Sequence, residues 1–133
     1  MSEENVELVR EWVARFNREG FLPEELFDPD VELFNIREFP LPGPYSGYEG
    51  LRKWREAIFE VVEEGRFEID ELIDVDEADL VVSKMRILGR AKHTGIRVDI
   101  GFANVNWFRN GRICRAESFT DHADALKAAG LSE

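Results

Sequence analysis

Two carboxylates and two amides in the last third of this sequence have the types and spacing of an acid/base site. Strand alternation over Ile113 to Asp121 sets Ile113, Arg115, Glu117, Phe119 and Asp121 on one face and Cys114, Ala116, Ser118 and Thr120 on the other. In the preceding segment Phe102, Asn104, Asn106 and Phe108 share a face, against Gly101, Ala103, Val105 and Trp107. Two amides between two phenylalanines are poor core filler. A carboxylate in an apolar pocket has its charged form desolvated, which raises its pKa toward the range useful for proton transfer. Amide N–H groups are the kind of preorganised donor that stabilises an oxyanion. Asp121 is therefore a candidate general acid/base, Glu117 a second carboxylate, and Asn104 and Asn106 candidate donors to a ligand oxygen. Plainer roles stand beside these: Asp121 directly precedes a helix-forming segment and can cap it, and Glu117 can pair with a neighbouring arginine.

Asn35, Tyr45 and Trp54 are further candidate ligand contacts. Tyr45 sits in a rigid loop, where an amphipathic ring both packs and hydrogen-bonds; Trp54 lies on the apolar stripe of a helix, where core packing is the alternative. His122 adjoins Asp121 but points to the other face of a continuing strand, and His93 falls in a turn. Cys114 is the only cysteine, so no intramolecular disulfide forms. The two histidines lack metal-ligand spacing, so no metal site is expected. Nothing resembles a glycine-rich nucleotide loop, so no cofactor is expected and any chemistry must be acid/base.

These residues need elements to position them. From Ser2 to Gly20, Val6, Val9, Val13 and Phe16 form one helical stripe, with Leu8 and Trp12 at its margins. Ser2 can cap this helix, Glu3 and Glu4 suit its positive end, and Gly20 can stop it. Pro23 opens a short helical turn over Glu24 to Phe27, and Asp28-Pro29-Asp30 breaks it before a short strand, Val31 to Asn35. The stretch Phe39-Pro40-Leu41-Pro42-Gly43-Pro44-Tyr45 holds three prolines and a glycine in seven residues, which makes it a stiff apolar loop, either a pocket rim or a packed connector. A second helix follows Gly47, with Leu51, Trp54, Ile58 and Val61/Val62 on one face, and Gly65 ends it.

Beyond Gly65 the period changes from helical to alternating. Phe67 to Val75, Leu80 to Leu88, Ile96 to Phe108 and Ile113 to Asp121 read as four successive strands, joined by turns of which Asn110-Gly111 is the strongest. Ala123 to Ala129 is a final helical segment stopped by Gly130. The expected fold is α+β, with helices on one face of a curved antiparallel meander, forming a cone with space at its wide end. Trp107 and Val105 face away from that space and need cover, which predicts a homodimer through the sheet, or else coverage by the C-terminal segment.

Composition narrows the rest. At 133 residues with 44% hydrophobic content, the chain suits one domain over 1–133. Lys and Arg number 17 against 28 Asp and Glu, a formal net charge of −11, which disfavours nucleic acid and anionic membrane surfaces as partners. The N-terminal acidic residues do not suit a signal peptide, and no apolar run approaches the roughly 18 residues of a membrane span. A cytoplasmic location is expected.

The ordered set of local signals resembles the SnoaL-like polyketide cyclase family of the nuclear-transport-factor-2-like superfamily, which has a cystatin-like cone. It runs from Asn5-Val6-Glu7-Leu8-Val9-Arg10 and Phe16-Asn17 through Leu26-Phe27-Asp28-Pro29-Asp30-Val31-Glu32 and Tyr45-Ser46-Gly47-Tyr48-Glu49-Gly50-Leu51. It continues in Asn110-Gly111-Arg112-Ile113 and Phe119-Thr120-Asp121, ending at Ala125-Leu126-Lys127-Ala128-Ala129-Gly130-Leu131. The resemblance implies that Phe119 points into the cone as a ligand contact, bringing Glu117 and Asp121 with it. It also matches Asp121 to a late acidic residue that transfers protons in such cyclases. Asn104 stands where relatives often carry histidine, and an amide binds but does not titrate. An epoxide-hydrolase-like member would need an Asp-Arg-Asp arrangement, for which Arg86 is the mid-strand candidate. Two functions follow as expectations. One is a cofactor-independent isomerase, cyclase, lyase or hydrolase acting on an apolar carbonyl-bearing small molecule; the other is a non-catalytic ligand-binding or dimeric interaction module.

Overall fold

The first helix, α1, spans Ser2–Glu19 in a computed structural model that describes residues 2–39 and 42–131. The Ser2 side chain, read as a cap, and Pro40 and Leu41 of the stiff loop lie outside the described residues. Val9, Trp12, Val13 and Phe16 recur at three- and four-residue spacing and are all buried, so Trp12 belongs to the centre of the stripe and not to its margin. The Gly20 N–H closes the helix onto the Phe16 carbonyl at 2.8 Å.

After Pro23 a 3-10 turn covers Glu24–Leu26, and strand β1 then runs over Phe27–Phe34. The expected break at Asp28-Pro29-Asp30 is instead an irregularity within this strand, its register shifting between Phe27 and Glu32. Such a shift tolerates a proline that lacks an N–H to donate. The stiff loop ends in a two-residue strand, β2, Tyr45–Ser46, paired antiparallel with Glu32 and Leu33. Helix α2 follows over Gly47–Val61, burying Leu51, Trp54, Ala57 and Ile58.

The remaining strands are β3 (Val62–Val75), β4 (Leu80–Ala91), β5 (Arg97–Arg109) and β6 (Arg112–Phe119), with helix α3 over His122–Ala128. Together the described strands make one sheet in the order β2-β1-β6-β5-β4-β3. The meander is antiparallel as expected, while β1 joins it parallel to β6. Asn110 and Gly111, at φ 53° and 76°, make the tight β5–β6 turn. No described helix is long and apolar enough to cross a membrane.

Alternation divides the sheet into two apolar layers. On the concave face, Phe67 of β3 meets Trp12, Phe16, Trp54 and Phe102 with ring centroids 5.2–6.0 Å apart. These contacts bind both long helices to the sheet. On the convex face, Val75, Leu80, Val82, Ala103 and Val105 are buried with Ala125 and Ala129 of α3, and Ile73, Trp107, Phe119 and Leu126 pack around them. The cover for which a homodimer was expected comes, over Val105, from the C-terminal helix of the same chain.

Gly65 does not end α2. The helix stops at Val61, the chain passes directly into β3, and Gly65 lies within that strand. Its partner in a close approach is Gly89 of β4. A Cβ on Gly89 would lie 2.6 Å from the Glu63 carbonyl oxygen and from Val62 Cγ1, and 3.2 Å from Gly65 Cα, at φ +155°. The corner where helix becomes strand therefore requires a residue without a side chain. Gly89→Ala is expected to lower unfolding free energy in urea by about 2 kcal/mol or more; an unchanged denaturation midpoint would show that the corner relaxes freely.

Candidate functional site

Between the two long helices and the concave face lies a cavity of about 310 Å³. Trp12, Trp54 and Ile58 wall it from the helices, Phe67, Ile87 and Phe102 from the sheet, and Leu33, Ile36 and Phe39 from β1 and the loop after it. Val98 and Ile100 of β5 reach its mouth, where Ile100 is 48% exposed. Ala116 and Ser118 of β6 face it with short side chains, which leaves the space open.

Polar atoms in this lining are few and mutually engaged. The Trp12 indole N–H donates to Asn106 Oδ1 at 3.1 Å, and Asn106 Nδ2 donates to Asn104 Oδ1. Asn104 Nδ2 in turn donates to Ser118 Oγ at 2.9 Å and to the Glu117 carbonyl at 3.4 Å. Asn104 and Asn106 are buried, as the sequence pattern implied for amides sharing the face of Phe102. A second polar point is Asn35, whose Oδ1 accepts from the Trp54 indole at 2.8 Å. Trp54 thus lines the cavity and packs the core at once. Tyr45 packs against the core beside the cavity and is not part of its lining; burial holds its phenol above the ordinary value.

The carboxylates expected in the cone lie outside it. A regular two-residue hairpin at Asn110-Gly111 would pair Asn104 with Glu117 and Asn106 with Arg115. The observed pairs are Asn104 with Ser118 and Asn106 with Ala116, because the register shifts between Trp107 and Phe108. Cys114 is the extra residue of this bulge, and every β6 side chain beyond it changes face. Glu117 therefore sits on the convex face, bonded to Arg115 at 3.0 Å. Arg115 itself lies over the Phe34 and Trp107 rings. Phe119 packs in the convex cluster and not in the cone. Asp121 is exposed and caps α3, its Oδ1 accepting from the Ala123 N–H at 2.8 Å.

Arg86 is likewise convex, held by Asp99 at 3.1 and 3.2 Å. His122 borders a shallow groove with Arg86 and Thr120 on that side. Cys114 is half-buried, and burial pushes its thiol upward, away from reactive thiolate. Among the described residues no group of His, Cys, Asp or Glu could hold a metal. The sequence reading missed Ser118 and the bond from Trp12. Trp12 was accessible from its spacing to Val9 and Phe16, whereas Ser118 depends on the bulge.

The profile of the SnoaL-like domain family matches residues 9–116, and the chain belongs to that family. Among solved structures it is similar to a nuclear-transport-factor-2-like protein of unknown function from Burkholderia pseudomallei, with 22% identity over 93% of this chain and 95% of that one and a TM-score of 0.76. It is also similar to TerC co-crystallised with polyporic acid, with 20% identity, coverage of 96% and 98%, and a TM-score of 0.75. A protein of ketosteroid isomerase-like fold from Catenulispora acidiphila, in complex with trimethylamine, shares 18% identity over 94% of this chain and 93% of that one, with a TM-score of 0.71. At these identities the likeness establishes the fold. A search of proteins with curated functions finds no match.

Two substitutions check this placement. Asp121→Ala is expected to cost about 1 kcal/mol in urea denaturation through loss of the cap; an unchanged denaturation midpoint would show that the cap contributes nothing. Ser83 lies on the concave face directly opposite Asn104, fully buried, and its Oγ has no partner among the described residues. Ser83→Ala should leave stability unchanged or raise it by up to about 1 kcal/mol; a clear loss would mean that the hydroxyl is held.

Proposed function

We propose that this protein binds a compact, largely apolar small molecule inside the cone, and that it does so without proton transfer by its own side chains. One observation carries this reading. Among the described residues lining the cavity the only titratable side chain is Glu38, which is exposed, while the other polar groups are three asparagines, a serine and indole N–H groups that bind without titrating. The volume of about 310 Å³ sits at the small end of ligand pockets. Apolar walls supply affinity through burial, and the amides and hydroxyl orient what enters. The co-crystallisation of TerC with polyporic acid is consistent with small-molecule binding in this fold.

Neutral bicyclic hydrocarbons and ketones are the first ligands to test, by melting temperature. A ligand at about 100 times its dissociation constant adds roughly 2.7 kcal/mol. The expected shift is the same between about pH 5 and about pH 8, and Glu38→Gln retains it. Turnover abolished by Glu38→Gln would replace binding with acid/base catalysis, whereas a steep pH dependence of the shift would overturn a binding site without a titrating group.

A further inference from the structure

The hydrogen bonds along the cavity floor all run one way, because both ends of the row are of fixed type. An indole N–H only donates, so Asn106 must turn Oδ1 toward Trp12. Its Nδ2 then meets Asn104 Oδ1, and Asn104 presents Nδ2 to Ser118 Oγ and to the Glu117 carbonyl. A backbone carbonyl only accepts, so the far end sets the same direction independently. The row finishes at Ser118, whose Oγ accepts from Asn104 at 2.9 Å while its O–H has no acceptor among the described residues. Successive bonds in one direction polarise each other and make that terminal O–H a better donor.

From this polarity we infer that the cavity selects its ligand by a hydrogen-bond acceptor, a carbonyl or ether oxygen that receives the Ser118 O–H. The inference rests on the binding function proposed above and names the ligand class for that site. A hydrocarbon leaves the hydroxyl unpaired against an apolar wall. A ligand offering only a donor can use the remaining Oγ lone pair, but the O–H stays unpaired there too, which is the costly state.

Three bicyclic probes of similar size separate the cases: 1-indanone presents an acceptor, indane neither group, and indole only a donor. Titration calorimetry with the wild-type protein should give 1-indanone about tenfold tighter binding than either of the others. Ser118→Ala should bind 1-indanone and indane nearly equally, and Ser118→Thr, which keeps the hydroxyl, should restore the preference; melting temperatures check that both variants fold. Equal binding of all three by the wild type, a preference for indole, or a ketone preference undiminished in Ser118→Ala would overturn the acceptor inference while leaving the cavity a binding site. No binding of any probe would overturn the binding function itself.

Discussion

The bond from the Trp12 indole to Asn106 joins the first helix to the floor of the sheet across 94 positions of sequence. Both partners are buried, so each would leave an unpaired polar atom in an apolar layer if the other moved. The bond therefore sets how deep α1 sits over β5. It also fixes which way the two asparagines point, and through them the orientation of Ser118. A cavity whose walls are almost wholly apolar is compatible with two buried amides only because those amides satisfy each other in this row.

Around that bond the aromatic residues set the shape. Phe67 touches rings from α1, α2 and β5, and Trp12, Trp54, Phe67 and Phe102 of this cluster wall the cavity. Toward β6 the lining changes to Ala116 and Ser118, too short to reach across, and the space stays open. The convex layer beneath α3 is separate, holding Val105, Phe119 and the helix alanines. Charged groups gather on that outer side, including the Arg115–Glu117 and Arg86–Asp99 pairs. Their separation from the cavity leaves the inside of this SnoaL-like domain apolar apart from its amides, the serine and the indole N–H groups. One fold hosts different chemistries according to which side chains face its interior.

Much of the fold was legible in the sequence. The 3.6-residue period of Val9, Val13 and Phe16 and of Leu51, Trp54 and Ile58 marks two helices, and the alternation after Gly65 marks the meander. Asn110-Gly111 marks its last turn. The site was legible in part: Asn104 and Asn106 declare themselves as amides on a phenylalanine face, and Asn35 and Trp54 line the cavity as well. Gly65 misled because a glycine after a helical run reads as a stop, when the chain had already passed from helix to strand at Val62.

What the sequence by itself determined is which residues alternate together. What only the tertiary structure decided is which way each set faces. The bulge at Cys114 shifts β6 by one residue against β5, and because side chains repeat every two residues, that shift exchanges Glu117, Phe119 and Asp121 for Ala116 and Ser118 at the cavity. Nothing in the local alternation of Ile113 to Asp121 marks the extra residue. Its position answers to packing on both sides of β6, where Ile113 is buried in the concave layer with Phe108 and Phe119 in the convex layer under α3. A bulge placed there lets both apolar residues pack on opposite faces, a condition set by contacts distant in sequence.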